Sequence, residues 1–456
     1  MFMLNEILNN TENYTSTHRK GIRKDKGQFF TPLSIANFMA GKASINAEHL
    51  SILEPGAGNG LLTAAVVKHC IDFGLCKSFS VHFIENDPDV LPVLYETVRL
   101  IEAYTSLHNG KINISISEVN YITDDVNDIY DIVICNPPYK KIRKDSLESV
   151  CMSEYIYGQP NLYALFMCKA VNNLRTGGKF VFITPRSWTS GKYYKIARKF
   201  LLKNLNLTDL LLFEDRNKVF GGEDVLQETL ITVGTKNHSQ ISKINITASS
   251  GDIDNTIPMV VDPKIMKGIG LDEYLLLPSS TEDLQVINRM ASITDTFESL
   301  GYCFKTGPVV EFRNKNALSV NEKEGYVPMY RTANIIEGKC VFPAETNKAQ
   351  YINATEKSLV LSDMNTVFVR RMSAKEERRR LQSCVYYKTD ENRYISVENH
   401  VNYLVHVDGS PLSTEEVEWI NALLMSDEYD AYYRMINGST QVNASEINKL
   451  PLKRRA

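Results

Sequence analysis

From residue 50 to about residue 235 the chain alternates short apolar blocks with longer stretches in which apolar positions recur every three or four residues. The blocks at 50–54, 80–85, 112–116, 132–135 and 179–185 have the length and composition of strands buried on both faces. The stretches at 33–39, 61–67 and 161–174 have helical spacing, and the last is expected to stop at Gly177-Gly178. Strand alternating with helix predicts an α/β fold on a mostly parallel, doubly wound sheet. Beyond residue 236 the alternation fades and polar residues rise through 236–263. Short strand-like runs follow at 326–336, 358–361 and 366–369, and the ending is helical as far as Asn437. Two domains are therefore expected, 1–240 and 241–456, the second α+β, with residues 1–26 a polar, loosely ordered arm.

Two turns interrupt the pattern where a ligand is expected. In Glu54-Pro55-Gly56-Ala57-Gly58-Asn59-Gly60 a strand passes into a helix, and the three glycines let backbone approach a ligand at the helix N-terminus. Glu54, directly before them, departs from a dinucleotide fingerprint and suits a ligand bearing an amino group. The next strand ends on Glu85, placed to accept from both hydroxyls of a ribose, and Asn120 follows the third strand, where it can meet an adenine edge. Each alone has a plainer reading, a capping or solvated polar side chain. The glycine turn is what favours the ligand.

The second turn is Asn136-Pro137-Pro138-Tyr139. The prolines cannot donate to a sheet ladder, so the strand stops abruptly and presents an amide, bare carbonyls and an aromatic ring. That set suits an exocyclic amine on a flat ring. The amine's lone pair is delocalised into the ring, and it attacks a methyl donor only when acceptors hold its N–H bonds and favour a tetrahedral nitrogen. Asn136 Oδ1 and the Pro137 carbonyl are candidate acceptors, worth about 1.5–3 kcal/mol each as positive charge develops. Tyr139 would stack on the base, returning about 1–3 kcal/mol against the cost of extruding it. The plain alternative is a stiff turn after a strand.

Composition narrows the class. The 456 residues, 43% hydrophobic and 23% charged, suit two or three globular domains. A net charge of -3 means that nucleic-acid contact must come from local patches. The basic run Lys140-Lys141-Ile142-Arg143-Lys144 lies beside the proposed pocket, and a second basic segment, read as a helix, carries Arg370, Arg371, Arg378, Arg379 and Arg380. A further cluster, His18-Arg19-Lys20 with Arg23-Lys24, is more ordinary surface. The eight cysteines form no zinc-spaced cluster, so reduced thiols and no metal site are expected. The start lacks a secretory leader and no apolar run reaches membrane-spanning length, which points to a cytoplasmic protein with no membrane partner.

Phe29-Phe30-Thr31-Pro32, the Glu54 to Gly60 turn, Glu85-Asn86-Asp87-Pro88, Asn136-Pro137-Pro138-Tyr139 and Asn161-Leu162-Tyr163, in this order, resemble the gamma class of DNA adenine-N6 methyltransferases, in particular modification enzymes of the PstI and BsuBI type. The likeness covers the first half in detail. It continues more loosely through Lys305-Thr306-Gly307, Arg370-Arg371, Glu398-Asn399-His400 and 437–443. It implies a Rossmann-like S-adenosylmethionine-dependent catalytic domain followed by a target recognition domain. Phe29, Phe30, Thr31 and Asn136 would line the cofactor site, Glu54, Pro55, Gly56, Gly58 and Gly60 would hold the methionine part, and Glu85 the ribose. Asn120 stands where relatives often have an aspartate for the cofactor's adenine amine. Asn136, Pro137 and Tyr139 would hold a flipped adenine, with Phe182 as a second stacking face. The implied partners are double-stranded DNA and a separately encoded restriction endonuclease, the enzyme acting as a monomer.

The alternative is an N-methyltransferase for RNA or for a release-factor glutamine, since such enzymes also use Asn-Pro-Pro followed by an aromatic. They generally carry the accessory domain first and lack the Phe-Thr-Pro element, which favours DNA.

Overall fold

The computed structural model describes residues 2–18, 21, 26–159, 161–213, 228–236, 243–249, 256–268, 274–389, 391 and 393–455, and the chain divides into two compact units, Met1–Met266 and Lys267–Ala456. The first unit opens with helix α1 (Phe2–Thr17) and α2 (Leu33–Ala43). It continues through β1 (Leu50–Pro55), α3 (Leu61–Asp72), β2 (Ser78–Ile84), α4 (Leu91–Leu107), β3 (Lys111–Ser117) and β4 (Tyr130–Cys135). Then come the short helix α5 (Leu147–Cys151), α6 (Leu162–Asn172), β5 (Leu174–Pro185), α7 (Lys195–Asn204), β6 (Leu205–Phe213), β7 (Thr229–Lys236), β8 (Ile244–Ser249) and β9 (Met259–Val261).

The nine strands form one sheet in the order β3-β2-β1-β4-β5-β7-β6-β8-β9. Strands β3 to β5 run parallel, β7 enters antiparallel between β5 and β6, and β8 returns parallel to β6. This is the expected Rossmann-like α/β sheet. Strand order reverses between β1 and β4, the switch point at which a crevice opens above the carboxyl ends. Both strands are buried along most of their length, Ile52, Leu53, Ile132, Val133 and Ile134 completely, because helices cover both faces.

Three expectations about the first unit change. Residues 1–26 are not a loose arm as a whole. Met3, Leu4, Ile7, Thr11 and Tyr14 fall on one face of α1 and are buried, the first three within the main core. Polar residues between them mask the helical period. Arg19, Lys20, Arg23 and Lys24 lie outside the described residues. The second change is that α6 ends at Asn172, not at the glycine pair. Gly177 and Gly178 instead sit inside β5, where six residues of β5 span three of β4 (Tyr130 pairs with Leu174, Ile132 with Lys179), a bulge that glycine accommodates. The third is the boundary. It lies near residue 266 rather than 240, since β8 and β9 extend the first sheet.

The second unit is α+β, with a six-stranded and a five-stranded sheet and helices Thr281–Met290, Thr414–Leu424 and Asp427–Ile436. Its cores pack Tyr330, Phe368, Tyr386 and Val397, and, separately, Val309, Met329 and Ile352. The basic segment after Arg370 is not a helix. It leaves strand Thr366–Arg370 as turns and bends and re-enters the sheet at Ser383–Tyr386. Among the described residues no helix is long and apolar enough to cross a membrane.

Candidate active site

The carboxyl ends of β3, β2, β1 and β4 open on a cavity of about 650 Å³. Phe29, Phe30, Thr31, Glu54, Gly56, Gly58, Glu85, Asn120 and Asn136 all line it, so residues spread over more than a hundred positions meet along one sheet edge.

The turn after β1 supplies the floor. Gly56, Gly58 and Gly60 all have positive φ (64°, 56° and 71°). At Gly58 the positive φ favours glycine, and it turns the backbone N–H toward Glu85 Oε2, to which it donates at 2.8 Å. Glu85 Oε1 also accepts from the backbone N–H groups of Asn86 and Asp87, both at 2.9 Å. Three of its roughly four lone-pair sites are thus taken by backbone, leaving about one for a ligand. Burial raises its pKa and these three bonds pull it back.

Glu54 is 3% exposed, and its Oε2 accepts from Thr63 N in the first turn of α3 at 2.9 Å. Burial pushes its carboxyl up to about 8, helped by the nearby Glu85 charge and opposed by the Thr63 bonds. A buried acid that lines the cavity and, among the described residues, has no side-chain cation paired with it is poised for a ligand ammonium.

At the other end of the cavity stands Asn136. Its Nδ2 donates to the Phe29 carbonyl at 2.8 Å and to Thr31 Oγ1 at 3.0 Å. Both amide N–H bonds are thereby committed to the segment before α2, and the enclosed Oδ1 has no hydrogen-bond partner. Among the described residues the Pro137 carbonyl accepts no hydrogen bond either. Tyr139 follows, its hydroxyl donating to the Ile183 carbonyl at 3.1 Å and its ring stacked on Phe29 with centroids 5.5 Å apart. Burial holds its phenol well above the usual range, with the buried Cys135 adding to the shift, so it remains a neutral ring.

Other residues singled out in the sequence lie elsewhere. Phe182 does not face the cavity: it is fully buried in the sheet core and stacks on Phe180 at 4.3 Å, so it offers no face to a base. Pro55 and Gly60 stand behind the lining; Gly60 is favoured by its φ of 71°, and a Cβ there would also come within 2.9 Å of the Leu94 side chain on α4. Lys140, Lys141, Arg143 and Lys144 are exposed, the first three on the cavity rim. In the second unit Arg380 is fully buried, bonded through Nη2 to the Ser439 carbonyl and set over the Tyr433 ring, so it cannot meet a phosphate. Arg370 and Arg371 donate to the Ile335 and Asn399 carbonyls, Arg379 pairs with Asp427, and Arg378 is exposed.

Several lining residues were not singled out beforehand. Lys26 reaches Asp87 Oδ1 at 2.8 Å and Asp89 Oδ2 at 2.9 Å, closing the segment before α2 over the loop after β2. The side-chain hydrogen bond to Asp87 is the main reason its ammonium sits above its ordinary range. Asn59 Nδ2 donates to Thr11 Oγ1 at 2.8 Å, tying the glycine turn to α1. Phe166 from α6 and Ser146 and Glu148 from the α5 region complete the wall. Two of them had a signal in the sequence, Asn59 inside the glycine turn and Lys26 beside Gly27-Gln28-Phe29-Phe30.

The model of the Eco57I restriction-modification methylase family matches residues 87–220. The type II methyltransferase M.BsuBI of Bacillus subtilis is 31% identical over 449 residues, 95% of this chain and 88% of that enzyme. The type II methyltransferase M.PstI of Providencia stuartii is 29% identical over the same shares. Among solved structures, the type IIL restriction-modification enzyme MmeI in complex with DNA superposes with a TM-score of 0.55 at 13% identity, over 98% of this chain and 65% of that one, a likeness of fold.

Proposed function

The chain belongs to the type II modification methyltransferases of restriction-modification systems, which methylate DNA, and from that premise we propose that it transfers the methyl group of S-adenosylmethionine to adenine N6 in duplex DNA after flipping the base out of the helix. The observation that carries the adenine reading is the unpaired, enclosed Asn136 Oδ1, held in place by both of its own amide hydrogens.

The cavity fits the cofactor in its donor set. Glu54, raised toward neutrality by burial, suits the ammonium of the methionine part, and the remaining acceptor site of Glu85 suits a ribose hydroxyl. The glycine turn leaves room for backbone approach between them. S-adenosylmethionine supplies an electrophilic methyl group on a sulfonium. The residues do the rest. Asn136 Oδ1 and the Pro137 carbonyl accept the two N–H bonds of the adenine amine and draw its lone pair out of the ring. A bound donor would give its methyl group to N6 and be left as a thioether, and the amine would lose one proton to solvent. No side chain need act as base: the Tyr139 phenol and the Cys135 thiol, both shifted upward chiefly by burial, stay protonated. Tyr139 gives the flipped ring a stacking face.

In this reading the first unit is catalytic and the second reads the target sequence. A separately encoded endonuclease is the counterpart, and the enzyme acts as a cytoplasmic monomer. The test is incubation with methyl-labelled S-adenosylmethionine and DNA, RNA and protein together, then mapping of the label. Label on N6-methyladenine in DNA is expected, whereas label in RNA or on a glutamine amide would overturn the proposal.

A further inference from the structure

The cavity's far end, at β3, holds a carboxylate that no motif marks. Asn120 closes the turn after β3 with its own amide largely engaged: Oδ1 accepts from Ile122 N at 3.0 Å, which takes one of its two lone pairs, and Nδ2 donates to Glu148 Oε1 at 3.1 Å. Glu148 lies in α5, whose first turn is held by local bonds. Ser146 Oγ accepts from Ser149 N at 3.3 Å, and Ser149 Oγ donates to the Arg143 carbonyl at 2.6 Å. Glu148 lines the same cavity as Asn120, and among the described residues its Oε2 has no partner.

Along the sheet edge the order β3-β2-β1-β4 sets Asn120, Glu85, Glu54 and Asn136 in succession. A donor with its ammonium at Glu54 and its ribose at Glu85 therefore extends its purine toward Asn120 and Glu148. We propose that Glu148, and not Asn120, accepts the N–H of the donor's exocyclic purine amine, while Asn120 serves as a positioning residue that fixes the carboxylate. This rests on the reading of the cavity as the donor site.

The chemistry makes a specificity claim. A carboxylate has acceptors only, so it welcomes a 6-amino purine and opposes a 6-oxo purine, which also presents an acceptor. A glutamine at 148 can turn its NH₂ toward the 6-oxo group. The test is equilibrium binding by calorimetry of S-adenosylhomocysteine and its 6-oxo analogue, S-inosylhomocysteine, to the full chain and to two variants. The wild type is expected to prefer the adenosyl ligand by about tenfold or more. Glu148→Gln should bring the two affinities within about threefold or invert them, and Asn120→Ala should weaken both while keeping most of the preference. An unchanged preference in Glu148→Gln, or its collapse in Asn120→Ala alone, overturns the assignment. If the wild type bound neither ligand, the donor-site reading itself would fall, a result distinct from either of those.

Discussion

Asn136 and Phe29, 107 residues apart in sequence, are joined by a 2.8 Å hydrogen bond from the side-chain amide of the first to the backbone carbonyl of the second. With the bond to Thr31 Oγ1 it decides which way the amide points. The segment before α2 is thus both a wall of the cavity and the device that fixes the Asn136 amide, leaving its enclosed Oδ1 as the unpaired acceptor.

Asn136→Ala removes that acceptor. Methyl transfer in a single turnover should fall by about a hundred- to thousand-fold, the scale for deleting one group that stabilises developing charge. Cofactor affinity should fall only a few-fold, through loosening of Phe29 to Thr31. Near-normal transfer by the variant would remove Asn136 from its assigned role.

Glu54 makes stability depend on pH. Its folded pKa, about 8, lies above its ordinary value, so between roughly pH 4.5 and 8 the folded chain holds a proton that the unfolded chain has released. Stability should therefore fall as pH rises through that window, by at most about 1.4 kcal/mol per unit from this group, and level off above it. Glu54→Gln should lessen the decline, as should saturating cofactor, whose ammonium favours the ionised acid. Denaturant midpoints at several pH values measure this. Parallel profiles for wild type and variant would show that Glu54 stays ionised when folded.

Lys26 ties the wall to the loop after β2 through Asp87 and Asp89. Lys26→Ala should speed cofactor dissociation several-fold, and the excess should shrink at high salt because the wild-type latch is partly screened there. The rate of methyl transfer at saturating cofactor should hold. Stopped-flow displacement tests this, and a dissociation rate equal to wild type at low salt would reduce the latch to surface decoration.

Arg378 and Arg380, two residues apart, should behave oppositely. Arg380→Ala empties a buried site and strands its partners, costing about 2–5 kcal/mol of stability by chemical denaturation. Arg378→Ala should leave stability within about 0.5 kcal/mol. If Arg378 meets a phosphate, the variant also lowers the salt slope of DNA binding by about one. An unchanged slope would return Arg378 to plain surface.

The sequence by itself determined the strand tips and what stands on them. Glu54, Glu85 and Asn136 are marked by local physics: an apolar block long enough for a buried strand, then glycines or prolines that end it, and these signals need no distant partner. Tertiary structure decided which face of each element is covered. Phe182 sits two residues from Phe180 in β5, and only packing across the sheet shows that both rings point into the core. Arg380 looks like its exposed neighbour Arg378 until the chain folds over it, and the helical face of α1 becomes visible only when it buries Ile7. Glu148 is the same case, since its place beside Asn120 arises from two segments that meet only in the fold. Periodicity and turn chemistry are written within a few residues, whereas burial and pairing are set by groups a hundred positions away.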